Sequence, residues 1–389
     1  MKKFQFSLPM PYTIEDINKI IDINNQVNKS QITSLYINLP STCELSTSFE
    51  QNRNFMFNRK DFDYWENLMK HSLNKGIDLI YLLNNPSPID SSSFDFNNQI
   101  NKLDKLLYKL KEIGITKIRV ASQQLSSFLK KYYADFNIYA STSLDYKTIS
   151  EYQNFIMFHS EVKQIIPSHD INKNFILLKN LKHDYPDLDM EIMVNEGCMQ
   201  GCPNRNIHEM IASESSERKI DVYFSPSRYC TEFCGNIMKK YPFYSLTLNN
   251  NIFPWDIEAY SKIGINKFKL VGRDLYTYNT DKYIQNYLLY LKAVDNAKEV
   301  EDVSIVTFIH HLLGNNILKQ LKTKEVRHLL PKIEYFKKYG HLCASKCGVE
   351  CRYCYKCAEK IEKVFKKKQE EMRKMTRPVC VINKANVST

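Results

Sequence analysis

Short apolar runs alternate along most of the chain with longer segments in which apolar residues recur at helical spacing. The short runs predict eight strands, at 35–39, 77–83, 115–121, 136–140, 155–158, 190–194, 252–255 and 268–271. The amphipathic segments predict an opening helix after Thr13 and helices at 61–75, 96–113, 125–133, 146–152, 171–183, 256–263 and 281–297. Strands separated by helices are predicted to lie parallel in one sheet, because a tight turn cannot join parallel neighbours.

Eight strand–helix units in series are typical of an α/β chain that forms a (β/α)8 TIM barrel of about 250 residues. A doubly wound open sheet has the same local pattern, but the chain has no glycine-rich dinucleotide turn. We therefore expect a barrel at 34–298. It would follow an N-terminal segment and helix at 1–33 and precede a small helical, cysteine-rich extension at 299–389.

The composition is that of an ordinary globular protein, since 43% of the 389 residues are hydrophobic. No run of about 18 apolar residues occurs, so no membrane span is expected. The first residues do not resemble a signal peptide. Clustered cysteines in a chain without such a signal favour metal binding over disulfides. These features predict a cytoplasmic protein in a reducing environment.

The formal net charge of +11 is concentrated partly near the C-terminus. A charged helix is predicted at 359–375, and its cations are either a solvated face or a patch that binds nucleic acid or another polyanion. The basic residues are Lys363, Lys366, Lys367, Lys368, Arg373, Lys374 and Arg377.

Two CxxxC pairs follow the predicted strand 190–194: Cys198 with Cys202, and Cys230 with Cys234. In a barrel, the loops after the strands share one rim, where active sites are built. Four thiolates complete either an iron–sulfur site or a zinc site. The three-residue spacing is wider than that of the CxxC zinc knuckles, which favours an iron–sulfur cluster; zinc and unligated cysteines remain alternatives.

A second cysteine group occupies fifteen residues near the C-terminus, a density that core packing does not require and that predicts a metal site. Part of it has the CxxxCxxC spacing of radical S-adenosylmethionine enzymes, in which the motif precedes most of the barrel. Here it follows the predicted barrel, so an accessory cluster or a zinc knuckle is the better interpretation. The group consists of Cys343, Cys347, Cys351, Cys354 and Cys357.

Further candidates lie near the ends of the predicted strands. Asn195 leaves strand 190–194, while Arg205 and His208 follow Cys202. The cation and the imidazole would bind an anion or move a proton, or would instead orient the cysteine cage. Arg273 leaves strand 268–271 as an anion-binding group or an ion-pair partner of Asp274. We treat Asn195, Arg205, His208 and Arg273 as candidate catalytic residues.

Cys43 follows the predicted strand 35–39, on the same rim as the first cysteine group. The sequence leaves two interpretations open. It is either a buried free thiol or a contact of a cluster or substrate.

Several of these segments together resemble the peptidase U32-like family. They are the strand at 191–194 that runs into Asn195-Glu196-Gly197-Cys198, the Cys202-Pro203 pair, the segment 252–256 and the segment 268–273. The segment 165–172 lies where that family has its strand-five loop. Asn195-Glu196 replaces the family's His-Gly, which indicates a divergent branch.

The resemblance implies a TIM barrel with a [4Fe–4S] cluster. Family members are linked to oxygen-independent hydroxylation of quinone precursors and of RNA bases, while others carry an older protease label. By position in the motifs, the resemblance implies four cluster ligands: Cys198, Cys202, Cys230 and Cys234.

Three functional hypotheses follow. The first is an iron–sulfur enzyme that hydroxylates, or otherwise modifies by redox chemistry, a small molecule, a peptide or an RNA base with the help of an electron donor. The second is a zinc-stapled protein that binds nucleic acid through its basic tail. The third is a U32-type peptidase.

Overall fold

Eight parallel strands close into a barrel, as the alternating pattern predicted. The computed structural model describes residues 3–40, 42–50, 61–86, 96–206, 208, 234–272, 276–343 and 346–375. Each strand pairs with the next, and the last strand pairs with the first, so the sheet has no free edge. The strands are β1 Phe4–Pro9, β2 Ser30–Ile37, β3 Asp78–Leu83, β4 Lys117–Val120, β5 Asn137–Ala140, β6 Val162–Ile165, β7 Asp189–Met193 and β8 Lys267–Lys269.

Helices lie between the strands and bury their apolar faces against the outside of the barrel. They are α1 Ile14–Asp22, α2 Phe62–Asn74, α3 Phe96–Ile113, α4 Gln123–Tyr132, α5 Ile149–Phe158, α6 Phe175–Asp184, α7 Gly235–Lys240, α8 Pro242–Thr247, α9 Ile257–Ser261 and α10 Tyr276–Asp295. The C-terminal region adds α11 Thr323–Val326, α12 Ile333–Tyr339 and α13 Tyr353–Met375. Among the residues described, no helix is long and apolar enough to cross a membrane.

The first strand of the barrel lies in the segment that the apolar pattern assigned to 1–33. β1 has Phe4, Phe6 and Leu8 buried on its outer face, and it pairs with both β2 and β8. Its six residues include a terminal proline, so the isolated segment resembles an irregular tail. Pairing with strands that are distant in sequence makes it a strand, and the barrel therefore begins at Phe4.

Two of the predicted strands were wrong. Residues 155–158 form the end of α5, because a capping box between Thr148 and Glu151 starts a helix that continues through them. The strand of this unit, β6, follows at 162–165. Residues 252–255 are not a strand either: Pro254 opens a short 3₁₀ turn at 254–256.

The interior of the barrel contains a buried polar network, in contrast to the branched aliphatic filling that is usual in this fold. The Glu191 carboxylate accepts hydrogen bonds from the Ser7 hydroxyl at 2.5 Å and from Nη2 of Arg119 at 2.5 Å. The same guanidinium nitrogen donates to Oε1 of Gln164 at 2.6 Å. Arg119 is fully buried, so Glu191 supplies the charge that compensates it.

Replacing Glu191 by alanine is expected to lower the free energy of unfolding by about 3–5 kcal/mol, because Arg119 would remain buried without an anion. Chemical denaturation followed by circular dichroism measures this change. The double variant Arg119→Met/Glu191→Leu should recover most of the loss. Asp135→Ala is the control: it breaks an exposed pair with Lys111 and should leave the unfolding transition unchanged. An equal effect of Glu191→Ala and Asp135→Ala would contradict the role given to the buried pair.

Candidate metal centre

The loop that carries Cys198 and Cys202 leaves the barrel after β7, on the rim formed by the carboxyl ends of the strands. Asn195 secures the start of this loop to the end of β8. Its side-chain oxygen accepts from the Val271 amide at 2.7 Å, and its side-chain nitrogen donates to the Val271 carbonyl at 3.2 Å. Asn195 is buried, and its carbonyl also accepts from the His310 amide at 2.8 Å. These contacts give Asn195 a positioning role at the rim.

The cysteine loop is held along its length by the segment that follows α8. Met199 and Asn249 form an antiparallel bridge. The Gln200 amide donates to the Leu248 carbonyl at 2.9 Å, and the Asn250 amide donates to the Cys198 carbonyl at 2.9 Å. The Cys198 backbone thus has a fixed partner on the rim.

Asp170 joins the loop after β6 to the cysteine loop. Its Oδ1 accepts from the Gly201 amide at 2.9 Å and from Nη2 of Arg205 at 2.9 Å, while its Oδ2 lies 3.3 Å from Nζ of Lys147. Gly201 has a φ of +63°, a conformation that side chains rarely adopt. Burial alone would raise the pKa of Asp170, but Arg205, the Gly201 amide and Lys147 hold that pKa below its usual value.

Arg205 is buried beside the cysteine loop, with 5% of its surface exposed. Its Nη2 also donates to the Met199 carbonyl at 2.9 Å. Its Nε and Nη1 are buried and have no hydrogen-bond partner in the described part of the chain. Burial favours a lower pKa for Arg205, yet Cys198, Asp170 and Glu196 raise that pKa above its ordinary value. The guanidinium therefore stays charged and keeps two N–H donors available next to the thiols.

Three of the four predicted ligands of the first group are described, and all three are half-buried. The thiols of Cys202 and Cys234 are in hydrogen-bond contact, and this contact, followed by burial, raises the pKa of Cys202. Cys230 and Arg273 lie outside the described residues. The structure thus brings Cys234 back to the loop of Cys202 across a long stretch of sequence.

The described cysteines form no disulfide. Within the described ranges, no group of three or more histidine, cysteine, aspartate or glutamate side chains has the arrangement of a metal site. Metal binding by either cysteine group therefore stays a prediction.

A polar cavity of about 250 Å³ lies directly against Cys202. Its volume is slightly below the usual range for sites of drug-sized ligands, so it suits a small polar group or one part of a larger molecule. Apart from the glycine and proline of the cysteine loop, its lining is polar: Lys147, Asp170, Gln200, Cys202 and Asn206.

The second cysteine group lies against the same rim. Cys343, Cys347 and Cys354 all act electrostatically on Lys173, a buried residue of the loop after β6. The Sγ of Cys351 is 3.3 Å from the Tyr335 hydroxyl, and Cys357 contacts Tyr353 through its side chain. The structure therefore places this group on the barrel and not on a separate arm.

The remaining candidates occupy less informative positions. The His208 amide donates to the Asn204 carbonyl at 2.8 Å, so His208 continues the helical turn after Cys202.

Cys43 is buried, and burial is the main reason that its pKa rises to about 11. In α13, Lys366, Lys367 and Lys368 each pair with a glutamate. These pairs offset part of the positive charge of the C-terminal helix.

Asp170 is the residue at this site whose role the sequence analysis missed. The sequence contains a pattern that could have revealed this role, because the polar residues Ser168-His169-Asp170 follow the apolar end of a strand. However, the strand was assigned to 155–158, so Asp170 was expected at the far end of a long loop and not close to the end of the strand. With β6 at 162–165, Asp170 follows the strand directly.

Asp170→Asn is expected to lower the free energy of unfolding by about 2–3 kcal/mol at neutral pH, because it removes the charged partner of Arg205. The depressed pKa of Asp170 sets the pH dependence. Its contribution is complete above the ordinary pKa of 3.8 and is lost as the pH falls through its lower folded value. Denaturation curves should therefore converge for wild type and variant in acid. Asp187→Asn, at an exposed position, is the control; a difference that persists unchanged in acid would contradict the assignment.

Comparison with known proteins gave one curated relative and several structural neighbours. No family model matches the chain. An uncharacterised protease of Methanocaldococcus jannaschii is 22% identical over 355 residues, which cover 90% of this chain and 95% of that protein. The structure of a U32 peptidase has 10% identity and a TM-score of 0.46, and the match covers 70% of this chain and 93% of that one.

N-acetylneuraminate lyase from Fusobacterium nucleatum has 11% identity and a TM-score of 0.36, over 94% of this chain and 98% of that one. These superpositions are loose, and the barrel is established by its own strand pairing. The similarity to the archaeal protein extends over nearly the whole chain. The resemblance to the peptidase U32-like family is confirmed: the chain is similar over nearly its whole length to the archaeal protease and, more distantly, to a U32 peptidase.

Proposed function

We propose that this chain is an iron–sulfur enzyme in which Cys198, Cys202, Cys230 and Cys234 hold a [4Fe–4S] cluster at the barrel rim. Its reaction would be an oxygen-independent hydroxylation or a related redox modification. The observation that carries this proposal is the charged, buried Arg205, which interacts electrostatically with Cys198 and Cys202 and whose Nε and Nη1 have no partner among the described residues.

The chemistry of the donor set fits such a cluster. Thiolates are the usual ligands of iron–sulfur clusters, and N–H groups that donate to the cluster sulfur atoms tune its potential. Arg205 offers two such donors together with a positive charge, which favours an anionic group beside it. Asp170 fixes both Arg205 and the Gly201 amide, so the loop is organised around a defined position.

When bound, the cluster would supply one-electron transfer at the rim. Substrate would enter the 250 Å³ cavity beside Cys202, where Lys147, Gln200 and Asn206 offer polar contacts. Arg205 and Asp170 would keep the cysteine loop in place, and the positive charge of Arg205 would favour an anionic group beside it. The substrate class is a small molecule, or an exposed polar group of a peptide or RNA base. A hydroxylation without O2 also needs an oxygen-donating co-substrate, which supplies the oxygen atom and takes up the two electrons that the substrate loses; an external electron donor would keep the cluster reduced. A reducing, cytoplasmic location suits cysteines that are not joined in disulfides.

The decisive test is anaerobic purification of the full chain followed by iron and sulfide analysis. The wild-type protein should be brown, with about four irons at the barrel site. Cys202→Ala should lose this iron, whereas Cys380→Ala, outside both cysteine groups, should retain it. Electron paramagnetic resonance of the reduced protein distinguishes a cluster from adventitious iron.

A colourless protein that contains only zinc, with zinc lost in Cys202→Ala, would overturn the proposal. It would instead favour the hypothesis of a zinc-stapled nucleic-acid binder. Salt-dependent binding of single-stranded RNA would then be the next measurement.

Peptide hydrolysis is the second candidate, and it rests on the name of the archaeal relative, an uncharacterised protease. Release of peptides from casein by the purified chain is a direct assay. Hydrolysis at the same rate in the wild type and in an iron-free Cys202→Ala variant would favour a peptidase. Absence of hydrolysis in both, with iron present in the wild type, would favour the redox enzyme.

A further inference from the structure

Lys173 is a buried cation between the two cysteine groups. Its Nζ donates to the Asn249 carbonyl at 2.7 Å and lies 5.1 Å from the centre of the Phe336 ring. Only 8% of the residue is exposed, and Asp256 lines the same small cavity. A buried ammonium is costly unless anionic groups lie near it.

Burial lowers the pKa of Lys173, and the thiols of Cys354, Cys343 and Cys347 act in the opposite direction together with Asp256. The C-terminal cysteines also interact with each other: Cys343 with Cys347 and Cys351, and Cys354 with Cys343, Cys357 and Cys347. Lys173 therefore faces a cluster of sulfur atoms that become anionic when they bind a metal.

The backbone brings these thiols together through a tight turn. The backbones of Cys347 and Cys351 form an isolated parallel β-bridge, and the Gly348 amide donates to the Cys351 carbonyl at 2.9 Å. Gly348 has a φ of +83°, which permits the turn. Cys343 ends a short 3₁₀ helix at 340–343, and Cys354 lies in the first turn of α13. Two helix ends and one turn thus present four thiols from 343 to 354.

The segment that leads into the C-terminal cysteines packs closely against the rim of the barrel. A Cβ added at Gly340 would lie 1.9 Å from the Lys173 carbonyl oxygen, so only glycine allows this approach. Aromatic pairs between α8 and α13 hold the other side, with Phe243 5.4 Å from Phe365 and Tyr244 5.7 Å from Tyr355. The cysteine group therefore has a defined position over Lys173.

We propose that Cys343, Cys347, Cys351 and Cys354 form a second, tetrathiolate metal centre that faces Lys173. Four thiolates around a divalent ion, or around a cluster, carry net negative charge, which the ammonium of Lys173 offsets. The thiols would rotate toward a common ion when it binds. Cys357 lies one turn further along α13 and is not needed to complete a set of four ligands. The ligand is a thiophilic metal, as zinc or as an iron–sulfur cluster.

The second centre is linked to the first cysteine loop through Lys173. Its Nζ binds the carbonyl of Asn249, and Asn249 pairs with Met199, which lies between Cys198 and Cys202. A metal that holds the C-terminal cysteines in place thereby holds Lys173 and its contact with the cysteine loop. This inference does not rest on the proposed redox function.

The test compares metal and sulfide contents of full-length variants purified without air. Cys347→Ser/Cys351→Ser should lose one complete metal centre, while Cys198→Ala/Cys202→Ala should retain that centre. Cys380→Ser should match the wild type. Sulfide lost together with iron identifies a cluster, and loss of zinc alone identifies a zinc site. Unchanged metal content in Cys347→Ser/Cys351→Ser would overturn the proposal.

Lys173→Met provides a second measurement in a variant that keeps every cysteine. Titration of the metal-free protein with Co²⁺, followed by thiolate-to-cobalt charge-transfer absorption, should give at least tenfold weaker binding at the second centre than in wild type. Lys179→Met, exposed on α6, is the matched control and should bind as wild type does. Equal affinity in Lys173→Met and Lys179→Met would contradict the role of the buried ammonium.

The two proposals fail separately. A protein whose metal is lost only in Cys347→Ser/Cys351→Ser has the second centre and lacks the barrel cluster. A protein whose iron is lost only in Cys198→Ala/Cys202→Ala has the barrel cluster, and the second centre is then rejected.

Discussion

The rim of this barrel depends on one carboxylate, that of Asp170, which lies between the Gly201 amide and the guanidinium of Arg205. It connects the loop after β6 with the loop after β7, and through Lys147 it also reaches the loop after β5. Buried charges are stable only when they are compensated and hydrogen-bonded. Because Asp170 and Arg205 satisfy each other in part, the loop can keep two further N–H groups of Arg205 beside its thiols.

Compensation of a buried charge also occurs at two other places in the molecule. In the barrel interior, Arg119 is compensated by Glu191, which crosses from β7 to β4. At the junction with the C-terminal region, Lys173 has a carbonyl and an aromatic ring as partners, and Asp256 and three cysteines act on it electrostatically. Each of these three cations is thus associated with groups that are, or can become, anionic. The third case differs because the cysteines become anionic only when their thiols are deprotonated, which a metal promotes.

Much of the fold was predictable because the barrel repeats a local pattern. The amphipathic helices at 62–74 and 96–113 were found within one residue, since helical periodicity over several turns is a strong signal. Short strands were harder to predict from the sequence. The run 155–158 is apolar enough for a strand, yet the helix that starts at the capping box of Thr148 includes it. For β1, the pairing partners decide the structure, and both are distant in sequence.

By itself, the sequence determined the fold class, the two cysteine groups and the position of the first group after a strand, because each follows from periodicity or spacing within a short window. The tertiary structure alone decided which side chains meet. It brought Cys234 to Cys202, Asp170 to Arg205 and Lys173 to the C-terminal cysteines. These contacts arise where loops from different strands converge on one rim, and closure of the barrel, which no local pattern encodes, sets that convergence.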